Sequence, residues 1–524
     1  MTEPREERTT LFLSLLLGLI FFVVLFPLAR AHPFGTYATE TDFYQLFAPD
    51  AARLARGQFP ENTFQGPGYP AALVVASAFG ADYFTAGKWL SVFCAPLAGF
   101  LIFLLFGRIY SAWVGLGAQL LVFTSTHFPK FAINATTDVF FLLLCLAALV
   151  VLTGDRLAPF GRVVLVAVLS GCAYLTRYNG LFLVAVCLGA LLFLNIYQRD
   201  WRERIRLSGI YAVVFLLVCA PWFVANYQRT GSPLYNTNYL NIATQFYPDL
   251  ADNSNMQEGT RKLSLVFHSF TDVLLHDPAQ ILRRYPENLW RNIQKSVTSG
   301  DLFSPWVGWL SVLGLALTAA TKRAKGAWVL LGAYACYFLI MSLTHWEARY
   351  YFFVIALDAG FAVFAVAQIF ALLRARLASL PAPLFSVAPT LLVLLMAYSC
   401  FARARKETAT FLASHPAELP GACASFAREN IRGARLLGRK PHLAYFCGQE
   451  WVFFPTVKSI DELRNWLRDN PVDYVTISSV EISRRREFAV LKDVNNAPAW
   501  LTPVYVNQDP PLILYKVAKE KLDQ

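Results

Sequence analysis

Apolar positions in this chain are gathered into long runs separated by short charged or turn-forming stretches. The runs fall near residues 10–28, 86–106, 111–127, 137–153, 162–176, 181–197, 207–226, 305–320, 327–344, 350–372 and 384–401. Crossing about 30 Å of hydrocarbon takes roughly 20 helical residues. The pattern therefore predicts a mainly α polytopic membrane protein of about 11 transmembrane helices. Beyond residue 402 the runs give way to shorter patterns. Ile460, Leu463 and Leu467 have helical spacing, and 442–447, 472–477 and 512–517 are strand candidates. The expected organisation is a transmembrane module, 1–402, with external loops 29–85 and 227–304, followed by a small external soluble α/β domain, 403–524.

Charge supports the same division. Residues 403–524 carry 32 of the 81 charged side chains, so the first 402 residues are much poorer in charge than soluble domains, where about 25% is usual. The net charge of +11 does not signal nucleic acid, because no basic-aromatic module or zinc-ligand spacing accompanies it. Topology explains it better. With a cytoplasmic N-terminus, the inner connections hold Arg108, then Arg156 and Arg162, then Arg199, Arg202, Arg204 and Arg206, then Lys322, Arg323 and Lys325, then Arg374 and Arg376. The outer ones hold mainly Arg30, Lys130, Arg177, Arg229 and Arg349. The positive-inside bias places both long loops and the tail outside. The first apolar run is longer than a secretory signal core and its polar start is not net basic, so an uncleaved first helix is expected. Seven of the nine cysteines fall in predicted spans; Cys423 and Cys447 lie in the tail, and their pairing is left open.

The candidate chemistry lies at the outer helix ends. The first loop carries Glu40-Thr41-Asp42-Phe43-Tyr44 and, further on, Gly66-Pro67-Gly68-Tyr69-Pro70. An acid at a membrane surface suits a general base, although an Asp before a helical stretch also suits a cap. Thr137-Asp138 opens the fourth run, where an acid also complements the helix dipole. Leu175-Thr176-Arg177-Tyr178-Asn179-Gly180 sets an arginine between two apolar runs, a costly position that calls for an anionic partner. His345-Trp346-Glu347-Ala348-Arg349-Tyr350 combines cations and aromatics at another outer end. Carboxylates and cations on one face suit a reaction whose leaving group is a lipid-linked phosphate.

In this order the motifs resemble the GT-C superfamily of membrane glycosyltransferases, which includes dolichyl-phosphate-mannose protein mannosyltransferases and bacterial aminoarabinose transferases of lipid A. The shared elements are the first-loop Asp42, the 66–70 turn, Thr137-Asp138, the 175–180 element and Arg349-Tyr350. The tail segments Pro441-His442-Leu443-Ala444-Tyr445 and Val472-Asp473-Tyr474-Val475 are similar to the external domain of bacterial members. The resemblance implies inverting transfer of a sugar from a polyprenyl-phosphate donor to a glycan, lipid or protein acceptor on the external face, in a bacterial inner membrane. Asp42 would be the base. Many members have two adjacent acids where Thr41 separates Glu40 from Asp42 here, so either acid fits. Asp138 would orient the acceptor or a metal; no residue cluster has metal-ligand spacing, and a divalent metal is left open. Arg177, His345 and Arg349, with Lys130 as a weaker candidate, would bind the donor phosphate. Tyr44, Tyr69, Tyr178 and Tyr350 would contact substrate. Against this stand a transporter or flippase of lipid-linked sugars, disfavoured because no internal repeat is apparent and most charges lie at helix ends, and a non-catalytic assembly protein.

Overall fold

A computed structural model describes residues 4–251, 256–321, 324–377, 379, 381, 383–483 and 485–523. Lys322 and Arg323, two of the cations used to orient the chain, lie outside the described residues. Every predicted apolar run coincides with a helix. Six helices are long and apolar enough to cross a membrane: Arg8–Arg30, Tyr83–Ile109, Pro159–Thr176, Trp201–Thr230, Ala348–Arg376 and Leu384–Ala413. The other five runs fall on the shorter apolar helices Ala112–Thr124, Asp138–Thr153, Tyr178–Leu192, Pro305–Ala320 and Lys325–Met341. The molecule is an integral membrane protein.

By internal contacts the chain forms two compact units, Met1–Ala31, Asp50–Asp252 and Gly259–Leu412 in the first, and His32–Pro49, Asn253–Glu258 and Ala413–Gln524 in the second. The helix Leu384–Ala413 runs unbroken through residue 402, the domain limit expected from composition. Its apolar half carries the predicted run and its charged half, from Arg403, simply continues the helix.

In the first unit the helix Phe352–Arg376 is the axis of packing, with Phe352 through Val366 all buried. Neighbours approach it through glycine. A Cβ on Gly314 would lie 1.8 Å from the Phe361 carbonyl oxygen, and one on Gly117 would lie 2.8 Å from Val363. Small residues let helices close where lipid supplies no hydrophobic drive. Ser311 donates to Asp358 at 2.7 Å within this layer, so the one acid on the buried stretch has a hydroxyl partner. Both long loops contain structure. The first holds the helices Ala48–Ala55 and Gly68–Ser77, and the second holds Tyr239–Phe246, Phe270–His276 and Pro278–Thr298.

The second unit is built on a five-stranded sheet of β1 (Arg435–Gly438), β2 (Glu450–Phe453), β3 (Tyr474–Ser478), β4 (Leu501–Gln508) and β5 (Pro511–Val517), in the order β2-β1-β3-β5-β4. β1 is parallel to β2 and β3, and β5 is antiparallel to β3 and β4. The predicted helix is Ile460–Asp469, capped by Ser459 and docked through Leu463 and Leu467. The strands expected at 472–477 and 512–517 are β3 and β5. The strand expected at 442–447 is instead the short helix His442–Phe446. Pro441 begins it with φ −76°, a start proline suits, and the consecutive buried residues His442, Leu443 and Ala444 need a helical turn rather than alternating faces. Cys423 and Cys447 form a disulfide.

Candidate functional site

The helix Pro159–Thr176 stops at Arg177, whose backbone turns to extended geometry before a single 3-10 turn, Tyr178–Gly180. Three glycines make this exit tight. A Cβ on Gly180 would lie 2.7 Å from the Tyr174 amide nitrogen, one on Gly66 would lie 2.2 Å from the Leu175 carbonyl oxygen, and one on Gly68 would lie 2.7 Å from the Thr176 nitrogen. The Gly-Pro turn of the first loop thus presses its backbone against the two residues preceding Arg177, which only residues without a Cβ allow. Arg177 then donates to Asp138 and, at 3.1 Å, to the Thr137 hydroxyl. The Asp138 side chain is only 2% exposed. Two residues given separate roles from sequence form one buried ion pair. Asp138 Oδ2 has no hydrogen-bond partner among the described residues.

Tyr350 joins this pair to the second cationic element. Its ring lies under the guanidinium of Arg177 at 4.8 Å and beside that of Arg349 at 5.1 Å. Arg349 pairs with Glu347 at 2.7 Å, and His345 lies 3.9 Å from the same carboxylate. Burial pushes the Glu347 carboxyl up, but His345 and Arg349 outweigh it and hold it down at about 2. Lys130 lies 3.8 Å from Glu407, as does His127. Burial lowers the Lys130 ammonium, with Arg349 adding to the effect and Glu407 and Glu347 opposing it. Burial and Lys130 together lower His127 to about 4, so at neutral pH His127 faces Glu407 uncharged. The structure thus gathers Arg177, His345 and Arg349, with Lys130 within electrostatic reach of Arg349. His127 and Glu407 were not anticipated. His127 shares a turn with Lys130, a readable signal, whereas Glu407 comes from a distant helix with no motif around it.

Beside Arg177 and Tyr350 opens a pocket of about 290 Å³. Arg177, Tyr178, His345 and Tyr350 line it, so four of the predicted residues share one cavity. Tyr178 is fixed there by the indole of Trp222, which donates to its hydroxyl at 3.1 Å. Tyr69 is elsewhere: it is fully buried, and its hydroxyl would lie 3.0 Å from a Cβ on Gly87, so it serves helix packing.

Glu40, Asp42 and Tyr44 belong to the second unit. Glu40 is fully buried and accepts from His32 Nε2 at 2.8 Å and from the Thr36 amide at 2.9 Å. Asp42 is half-buried. Tyr44 is 2% exposed; its hydroxyl accepts from the Gly35 amide at 2.8 Å and its ring packs on His442, Tyr445 and Phe446. The segment is pinned to the tail domain at three further points. Lys440 donates to the Thr41 hydroxyl at 2.8 Å, Tyr37 donates to Glu418 at 2.6 Å, and His442 Nε2 donates to the Thr36 carbonyl at 2.8 Å. Among the described residues, no group of three or more His, Cys, Asp or Glu is placed to hold a metal ion.

A family model described as dolichyl-phosphate-mannose-protein mannosyltransferase matches residues 66–224, the stretch from the Gly-Pro turn through Asp138 and Arg177. ArnT from Cupriavidus metallidurans, solved with undecaprenyl phosphate, superposes over 98% of this chain and 98% of its own, with a TM-score of 0.55 and 15% identity. The chain has the GT-C glycosyltransferase fold. The oligosaccharyltransferase of Archaeoglobus fulgidus shares this GT-C fold over 96% of this chain and 73% of its own, with a TM-score of 0.61 and 12% identity. The same archaeal enzyme, AglB, solved with an inhibitory peptide and a dolichol-phosphate, gives a TM-score of 0.56 at 12% identity over 91% of this chain and 70% of its own. No curated protein matches the chain by sequence.

Proposed function

We propose that this GT-C protein transfers a sugar from a polyprenyl-phosphate donor to an acceptor on the external face of a bacterial inner membrane, with inversion. The observation that carries the reading is the convergence of Arg177 and Arg349 on the ring of one tyrosine, Tyr350, with His345 and the pocket beside them. Polyprenyl phosphates in the solved relatives ArnT and AglB support the same donor class. In the reaction the acceptor oxygen or nitrogen bonds to the anomeric carbon as the bond from that carbon to the phosphate oxygen breaks. The lipid phosphate leaves with the electron pair, and guanidinium donors offset its charge.

Asp42 takes the acceptor's proton. Of the two first-loop acids it is the half-buried one, whereas Glu40 is wholly enclosed and already accepts from His32 and Thr36. Asp138 acts through Arg177: it holds the guanidinium in place and offsets its charge in a buried setting. Purified protein, incubated with a panel of polyprenyl-phosphate sugars and candidate acceptors, should release polyprenyl phosphate from at least one donor. No release from any member, in protein that still binds the lipid phosphate, overturns the transferase reading.

A further inference from the structure

The lining of the 290 Å³ pocket differs in chemistry from the cationic corner at its edge. Its volume is at the small end of ligand pockets, about 300–1,000 Å³, which fits one ring rather than an oligosaccharide. Among the described residues, no Asp, Glu or Lys lines it. The two basic groups that do are already matched, Arg177 by Asp138 and His345 by Glu347. What remains is a mostly apolar wall, aliphatic and aromatic, with Phe64, Tyr178 and Phe270 among its rings and the carboxamides of Gln65, Asn179 and Asn241 among its polar groups.

Two further asparagines at the rim are committed to the loop. Asn238 donates to the Phe64 carbonyl, and Asn236 accepts from the Asn238 amide at 3.2 Å while donating to the Leu234 carbonyl at 3.2 Å. Gln65 and Asn241 make no side-chain hydrogen bond among the described residues. Asn179 donates to the Tyr337 hydroxyl at 3.2 Å, but its Oδ1 is buried with no partner among the described residues. A buried acceptor without a partner is destabilising, and a ligand hydroxyl would satisfy it. A carboxamide offers both donors and an acceptor, the complement of a sugar hydroxyl. Aromatic rings supply flat apolar surface for the C–H face of a pyranose.

We propose that this pocket binds a single uncharged sugar ring, and so selects neutral sugars over amino sugars and uronic acids. The proposal rests on the glycosyltransferase reading for its place in the reaction, but its binding chemistry is tested separately. A cationic amino sugar would meet no carboxylate there among the described residues, and an anionic one would compete with the donor phosphate for Arg177 and His345.

The test uses the intact protein in phosphatidylcholine nanodiscs and saturation-transfer NMR with three methyl glycosides: mannopyranoside, 4-amino-4-deoxyarabinopyranoside and glucuronopyranoside. The neutral glycoside should give the strongest transfer, and Gln65→Ala and Asn241→Ala should each weaken it about fivefold to tenfold, the scale of one lost hydrogen bond. Gln65→Glu should gain binding of the amino glycoside, a result that unfolded protein cannot give. An unreactive farnesyl phosphonate C-mannoside then separates the sources. Displacement of the methyl mannoside supports the donor's sugar, and retention with both bound supports the acceptor's sugar. Preference for a charged glycoside, no transfer from any glycoside, or wild-type transfer in both alanine variants overturns the proposal. If the neutral glycoside binds as expected but no polyprenyl-phosphate donor is cleaved, the pocket assignment holds and the transferase reading fails.

Discussion

Lys440 Nζ lies 2.8 Å from the hydroxyl of Thr41, 399 positions earlier in the chain. Thr41 adjoins Asp42, so a lysine of the tail domain fixes the backbone that carries the proposed base. Lys440→Ala should reduce turnover about tenfold, the order of one charge-assisted hydrogen bond, while the KM for donor stays near wild type. An unchanged turnover would detach the tail from the chemistry.

The two first-loop acids separate by different measurements. Asp42→Asn keeps size and polarity but removes the proton acceptor, so turnover should fall by about 10² or more with little change in thermal stability. Glu40→Gln should do the opposite. It sets an uncharged amide against the His32 and Thr36 donors in a closed site, and the melting temperature should drop more than the turnover of the folded fraction.

Arg177 and Asp138 should behave as a couple. Arg177→Ala leaves a buried carboxylate without its charge partner, which typically costs about 3–5 kcal/mol, read as a lower thermal midpoint in detergent. Adding Asp138→Asn should restore most of the midpoint but not donor affinity. Arg349→Ala, whose neighbour Glu347 is 39% exposed, should weaken donor use with little loss of stability, and Arg349→Lys should weaken it less because it keeps the charge without the planar fork.

Acid should loosen the tail's hold on the first loop. Burial, with Lys440 adding to it against the Thr36 carbonyl, lowers His442 from 6.5 to about 3; the rings of Tyr37 and Tyr44 pack beside it. The unfolded chain therefore binds a proton that the folded one refuses, and stability falls as pH drops from about 6.5 towards 3. Comparing thermal midpoints at pH 7 and pH 5, His442→Gln should show the smaller difference, since a glutamine can donate to the Thr36 carbonyl without titrating.

Orientation has its own check. A reporter active only outside the cytoplasm should work at the C-terminus and fail when inserted in the 321–326 connection; the reverse pattern would place the tail and Asp42 inside.

The helices were legible because apolar runs bounded by charge leave few alternatives, and Asp138 at a helix start and Arg177 between two runs could be read from position alone. Their pairing could not, because nothing in either motif says that the two helix ends meet. Glu40 and Asp42 look interchangeable in a string of letters, and only burial distinguishes them. Strands β1 and β2, four residues each, are too short to show an alternating pattern, and the Pro441 turn imitated a strand. Two of the pocket carboxamides, Gln65 and Asn241, sit on the first loop and on the loop after Thr230, where polar residues look like ordinary solvent-facing positions.

The bond from His442 to Thr36 spans 406 positions, and with those from Lys440 and Glu418 it sets an order of assembly. A ribosome finishes the first external loop early and the residues that hold it hundreds of codons later. Until the tail has folded, the segment around Asp42 lacks the contacts that fix its shape. On the role proposed for Asp42, the nascent protein would be held inactive by its own incompleteness, and a chain truncated before residue 440 should occupy the membrane with its helices in place and no chemistry to perform.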